Sequence, residues 1–432
     1  MTNWDKSLAR RLHFAGDACA FFDGVFSRKP LSKVALISDW PLARFPSRLS
    51  RIAYDLLESV RTARLTPQIG NAELALMEAE GLLPQHPRYF SYWHDPALHS
   101  MVGMFLGADI IRHRGRYYII ESNHGPSIYP RRRAMYDAPY DPIVTGILSR
   151  AKDLGFQSVV PIHLRWKAAY VDEFQRAGAD YGIKAIATNC PFDQPGPAAR
   201  MVALPNPMPP STMYVIHSGL TSPVTAYIDN KWYLSQWLPL AIREELPPDT
   251  PVAIPETRNR FFIPAEDNGP RWPNLVVKVA GSSRSTGVIA ARFRDEAEGR
   301  ALFGLSEGGN VPRQLQSEFA KNFLFTGRDH AMYQQFIPPE MDERGHARMI
   351  RLHIFVSPLC STFLSAHFRI SRAPVPESFP RGVVAEDDAF IFNNADYEKV
   401  PRDIEDELRV VADHLGGSIQ RAIARKFVTS PN

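Results

Sequence analysis

The chain is poor in the features that would make several readings easy. Three cysteines in 432 residues, Cys19, Cys190 and Cys360, are too few and too far apart for a disulfide framework or a Cys-rich metal site. They read as small buried hydrophobes in a reducing compartment. No window approaches ~18 consecutive apolar residues, so no transmembrane helix is expected. The basic N-terminal stretch MTNWDKSLARRL is followed by no apolar core, so a signal peptide is not expected either. An excess of one charge is also missing. Lys plus Arg is 50 against 46 for Asp plus Glu, a formal net charge of +4, too small to point to nucleic acid or a membrane. There is no G-x-G-x-x-G, no G-x-x-x-x-G-K-[ST] and no internal repeat, which excludes a dinucleotide turn and a Walker loop. The expectation is a cytoplasmic protein of two to four structural units with an ordinary globular composition.

Proline, by contrast, is plentiful, 37 in all, clustered at 203–223, 247–255, 264–273 and 374–380, where loops or linkers are expected. Residues 1–106 are mostly helical in pattern, with Val34–Ile37 as a short strand and His99–Leu106 as a helix leading into Gly107. From 138 to about 230, strands at 158–162, 183–187 and 213–216 alternate with a helix over 166–177, which implies a small parallel α/β layer. The run Arg131-Arg132-Arg133 reads as a solvated surface. Toward the C-terminus, Ile404, Leu408, Val411, Leu415 and Ile419 form one helical stripe, with a possible interruption at Gly416-Gly417.

Two stretches carry chemistry. Gly107–Ser127, GADIIRHRGRYYIIESNHGPS, reads as a β-hairpin turning at Gly115. Alternation puts Glu121 and Asn123 on one face, with Asp109 on the partner strand close by. Two carboxylates and an amide oxygen are hard ligands suited to Mg²⁺ shared with substrate phosphates. The second stretch runs from Asn274 to Ile289. A β-branched strand ends at Lys278, and a loop of small and hydroxyl residues follows: Gly281, Ser282, Ser283, Ser285, Thr286 and Gly287. Small residues let backbone N–H groups approach phosphate oxygens, and a strand lysine supplies a point charge.

The spacing Asp109, Glu121, Asn123 resembles the metal-binding hairpin of the ATP-grasp superfamily, and the lysine strand with its Ser/Gly loop resembles that family's small subdomain. The resemblance implies ATP and Mg²⁺ as cofactors, and a base-binding hinge at Gln334, Gln335 and Ile337, with Gln334 standing where glutamate is common. It also implies a ribose contact at Glu340, and Arg351 and Arg369 on paired strands directed at the transferring phosphate. The order departs from the usual one, because the metal hairpin precedes the lysine. That order is similar to the circularly permuted, glutathionylspermidine synthase-like arrangement, although Gly107 stands where that group has an arginine.

The implied fold is α/β (α+β). It divides into a mostly helical region at 1–97, the metal hairpin at 98–137 and an α/β layer at 138–228. The small subdomain follows at 229–345 and the remainder of the large subdomain at 346–432. The implied activity is a carboxylate–amine ligase acting on small molecules, an amino acid or peptide among them, with no nucleic-acid or membrane partner. A small-molecule kinase and a non-catalytic nucleotide-binding protein are the alternatives.

Overall fold

Hydrogen-bond pairing in a computed structural model resolves the hairpin question first. The structure describes residues 94–95, 100–123, 131–162, 168–186, 211–216, 231–232, 234–235, 251–266, 268–279, 288–305, 311–315, 331–381, 384–385 and 396–423. The helical pattern expected up to residue 93, and the strand at 34–37 within it, lie outside the described residues.

A short strand β1 (His94–Asp95) pairs with β2 (Ser100–His113), which turns through Arg114 and Gly115 into β3 (Arg116–Asn123). Arg114 and Gly115 have φ of 49° and 73°, the two positive angles that a tight two-residue hairpin turn requires. The helix expected over 99–106 is corrected: residues 100–106 are the first half of β2. The cause is burial on both faces. Met104 and Leu106 enter one core cluster, Met101 and Phe105 the other. A strand covered on both sides shows a continuous apolar run, which periodicity cannot separate from a buried helix.

The chain continues through α1 (Arg131–Tyr136), α2 (Pro142–Asp153), β4 (Ser158–Ile162), α3 (Ala168–Tyr181), β5 (Lys184–Ala185) and β6 (Thr212–Ile216). Asp141 caps α2 by accepting from the Ile143 N–H at 2.9 Å, and Pro142 occupies the first turn, where its missing N–H costs nothing. The expected parallel layer is present: β4 runs parallel to β5 and β6, and β6 runs parallel to β2. After β7 (Val252–Ala253) come β8 (Thr257–Arg258), β9 (Leu275–Val279), β10 (Val288–Ala291), α4 (Glu296–Leu302) and β11 (Ala331–Gln335). The last elements are β12 (His346–Val356), β13 (Ser361–Pro374), β14 (Val384–Ala385), β15 (Asp396–Lys399) and α5 (Arg402–Ile423).

Two sheets result. The larger, mixed sheet has the order β15-β13-β12-β2-β6-β4-β5, with β1 and β3 branching from β2 and β7 pairing with β3; the smaller is β14-β10-β9-β11-β8. One face of the large sheet is apolar at Ala108, Ile110, Ile350, Leu352 and Phe368, and α5 covers it with Ile404, Leu408, Val411, Leu415 and Ile419. On the other face Phe105, Met213 and Phe355 pack under α2. Farther along the strands that face turns charged. Among the described residues, no helix is long and apolar enough to cross a membrane.

No interruption occurs at Gly416-Gly417; α5 runs through both. A Cβ on Gly416 would lie 2.1 Å from the Ser361 Cβ, an atom fixed to the β13 backbone. Helix propensity alone would favour alanine there by ~1 kcal/mol. Overpacking against a strand that cannot swing away costs roughly 1–3 kcal/mol, so the clash wins. Gly416→Ala is therefore expected to lower the unfolding temperature by several degrees in a scanning-calorimetry comparison, and a rise would show that α5 sits farther from β13.

Candidate functional site

Directly opposed residues in a sheet share a face. Registers carry one row across five strands: Glu121 on β3, Asp109 on β2, Arg351 on β12, His367 on β13 and Lys399 on β15. An irregularity lets Glu121 join that row. Asp109 pairs with Glu121, but Ile110 pairs with Ile119, so Ile120 is an extra residue in β3. Strict alternation would have placed Glu121 beside Ile119, which is buried under α5. The bulge turns the carboxylate to the opposite face, as bulges near functional sites do.

Around that row the charges converge. The Arg351 guanidinium contacts both oxygens of Asp109: its Nε lies against Oδ1, and an Nη donates to Oδ2 at 2.9 Å. An Nη of Arg369 is 3.6 Å from the same Oδ2. The Asp109 carboxyl is raised to about 6, chiefly by burial; Arg351 opposes that rise, and the neighbouring Glu121 carboxylate adds to it. Lys231 sits in a helical turn, with Nζ 3.6 Å from Glu121 Oε2.

From the small sheet, Lys278 enters the same cluster. Burial pushes its ammonium down, and the charges acting on it are Glu121, Lys231 and Asp109. Its Nζ donates to Gln334 Oε1 at 2.9 Å. Lys231, Lys278, Arg351 and Arg369 thus face two carboxylates, a surplus of two positive charges in a mostly buried setting. Gly107 admits the arginine: a Cβ there would come within 3.2 Å of the Arg351 Cδ.

The sequence-predicted residues divide as follows. Asp109, Glu121, Lys278, Gln334, Arg351 and Arg369 come together. Asn123 pairs by its backbone with Gly107; its side chain lies outside the described residues, as do Gly281, Ser282, Ser283, Ser285, Thr286 and Gly287. Gln335 follows Gln334 in β11 and so projects to the other face, opposite Leu275 of the small sheet's core. Ile337 lies in an apolar cluster with Ile111, Met349, Trp272 and Phe336 that joins the two sheets beside Asp109 and Lys278. Glu340 lies against Arg112. Its carboxylate accepts from Arg112 at 3.2 Å, and that guanidinium is also 3.9 Å from Glu407 of α5.

Three participants were not named from sequence: Lys231, Thr257 and His367. A single lysine after Asp229-Asn230 and a threonine in a proline-rich loop carry no local signal. His367 is buried within the row, held well below the usual imidazole range by burial and by Arg132, Arg351 and Arg369. The solvated reading of Arg131-Arg132-Arg133 is corrected at its centre, because Arg132 is fully buried.

The donor set fits a hard divalent cation in kind. Asp109 and Glu121 are directly opposed across the hairpin, and each carboxylate beside the other is relieved when a cation lies between them. Among the described residues no three His, Cys, Asp or Glu side chains converge, so two protein carboxylates would be completed by other oxygens, as Mg²⁺ sites commonly are.

Neither a protein-family model nor a curated protein sequence matches the chain. Among solved structures it is similar to a protein from Methylobacillus flagellatus KT provisionally named a gamma-glutamylcysteine synthetase, with 11% sequence identity and a TM-score of 0.38. The likeness covers 84% of this chain and 98% of that one, and at such a score it carries no argument about function.

Proposed function

We propose that the chain is an ATP- and Mg²⁺-dependent carboxylate–amine ligase of the permuted ATP-grasp kind, acting on small molecules in the cytoplasm. The observation that supports this reading is that Glu121 and Asp109, from the large sheet, act electrostatically on Lys278, from the small one, where the Ile337 cluster joins the two. Distant segments converge there on a side-chain cluster with surplus positive charge, which suits an anionic magnesium–nucleotide.

In this reading Lys278 and Lys231 hold phosphate oxygens, and the apolar cluster around Ile337 receives the base. Asp109 and Glu121 would hold Mg²⁺, whose charge would neutralise the phosphates. Arg351 and Arg369 stabilise charge on the transferring group. A substrate carboxylate oxygen forms a bond to the γ-phosphorus as the bond to ADP breaks. The amine nitrogen then attacks the acyl carbon, phosphate leaves, and the amine proton passes to solvent. None of these steps needs a protein nucleophile, so the scattered cysteines require no role.

The test is ADP release by the full chain with MgATP against a panel of amino acids and amines, with products weighed by mass spectrometry. An ADP-coupled amide is the expected product. A phosphorylated compound without an amide would make it a kinase, and nucleotide-dependent melting shifts without turnover would make it a binding protein. No nucleotide response of any kind would end the reading.

A further inference from the structure

We propose that Gln334 and Thr257 are positioning residues that aim the Lys278 ammonium at phosphate, and that the Gln334 side chain does not read the nucleotide base. The inference rests on the nucleotide-binding reading above.

A chain of hydrogen bonds fixes each member in turn. Lys278 Nζ donates to Gln334 Oε1 at 2.9 Å, Gln334 Nε2 donates to Thr257 Oγ1 at 3.2 Å, and Thr257 Oγ1 donates to the Pro255 carbonyl at 2.9 Å. A threonine hydroxyl has one proton, and here it is committed to Pro255. Toward Gln334 the hydroxyl can only accept, so the amide must present N–H to Thr257 and its oxygen to Lys278. Turning the amide over would set NH₂ against an ammonium. The orientation is therefore set by chemistry as well as by distance.

Register explains why the contact forms. Gln334 lies opposite Val276 on β9, two residues from Lys278 and on the same face, and Thr257 lies opposite Gln334 on β8. Gln334 is 4% exposed, and Lys278 is 6% exposed. Swinging the Gln334 side chain toward a base edge would break both contacts in a buried environment and take the amide oxygen from the ammonium.

A lysine stem has free rotors, and Lys231 repels the Lys278 charge. A neutral amide oxygen holds the ammonium without cancelling it. A carboxylate at 334 would hold it equally well but would subtract from the positive surplus that a polyphosphate needs. Glutamine at this position, where the resemblance leads one to expect glutamate, is thus consistent with a cluster whose net positive charge is kept for its ligand.

The experiment measures binding of ATP, of tripolyphosphate and of adenosine to the full-length wild type, Q334A, T257V, T257S, K278A and the K278A/Q334A double variant, with melting curves as the folding control. Expected are a ~10-fold loss of ATP and tripolyphosphate affinity in Q334A, the scale of one charge-assisted hydrogen bond, and no change for adenosine. T257V should lose severalfold for the same two ligands, and T257S should recover. In the K278A background, Q334A should add less than about twofold, because coupled residues are not additive. Equal weakening of adenosine, or full additivity with K278A, would overturn the proposal while leaving nucleotide binding intact. A wild type that binds neither ATP nor tripolyphosphate would remove the function reading and this inference together.

Discussion

Glu121→Gln should lower ATP-dependent product formation by at least ~100-fold, the scale on which removal of a charge-stabilising active-site group is felt, while the protein stays folded. Both halves follow from the surroundings of the side chain. The amide keeps the shape of the carboxyl, and Glu121 is only partly buried, with 21% of its side chain exposed. Removing its charge takes away an influence that raises Asp109, so Asp109 moves toward full ionisation and its pairing with Arg351 strengthens. What the substitution deletes is one of two hard donors and the counter-charge of Lys231, leaving three surplus positive charges where there were two. Lys278→Ala is the matching variant from the small sheet. It should act mainly through nucleotide affinity, raising KM for ATP, whereas Glu121→Gln should act mainly on kcat. Steady-state kinetics on both separates the roles, and wild-type rates in both would remove the site from the reaction.

The parts of this site could be named from residue type and spacing, but their assembly could not. Asp109, Glu121, Lys278, Arg351 and Arg369 are chemically conspicuous. The Arg114-Gly115 turn fixes the hairpin register as far as the Ile110–Ile119 pair, and continued without a break it would set Asp109 opposite Ile120. The extra residue Ile120 is another matter. A bulge that moves Glu121 off the core face leaves no mark in a string of apolar and aromatic residues, and it is visible only as a break in register. Glu340 shows the opposite case. Its spacing from Gln334 implied a ribose contact; the structure adds a pairing with Arg112, between residues 228 apart, that no local pattern encodes.

Fold elements follow the same division. The α5 and α3 helices were legible because each buries one face and exposes the other. The first half of β2 was not, because α2 and α5 cover it from both sides and remove the alternation that identifies a strand. Lys231 illustrates the limit for the site: its assignment comes from 3.6 Å to Glu121, a fact of tertiary structure alone.

Arg132→Met should destabilise the fold more than Gly416→Ala or any of the site substitutions, by roughly 3–5 kcal/mol, the usual cost of removing one partner from a buried ion pair. Arg132 lies on α1, and its guanidinium is bidentate to Asp141, with Nε at 2.7 Å from Oδ1 and an Nη at 2.5 Å from Oδ2. Asp141 serves twice, because the same Oδ1 accepts the Ile143 N–H that caps α2. Its own backbone N–H donates to Glu173 of α3, a side chain that is fully buried. One arginine therefore brings positive charge to the point where two carboxylates and three helices meet. Methionine matches the bulk, so a large loss would report charge and not a cavity. Arg132→Lys keeps the charge but gives up the fork, and should fall between the two. Arg133, half-buried in the same run, is the control, expected to stay within about 0.5 kcal/mol when changed to alanine. Denaturant melts of the three variants decide the matter. If Arg132→Met and Arg133→Ala unfold at the same midpoint, the run is solvated after all, and the anchoring of α1 against α2 has to be sought elsewhere.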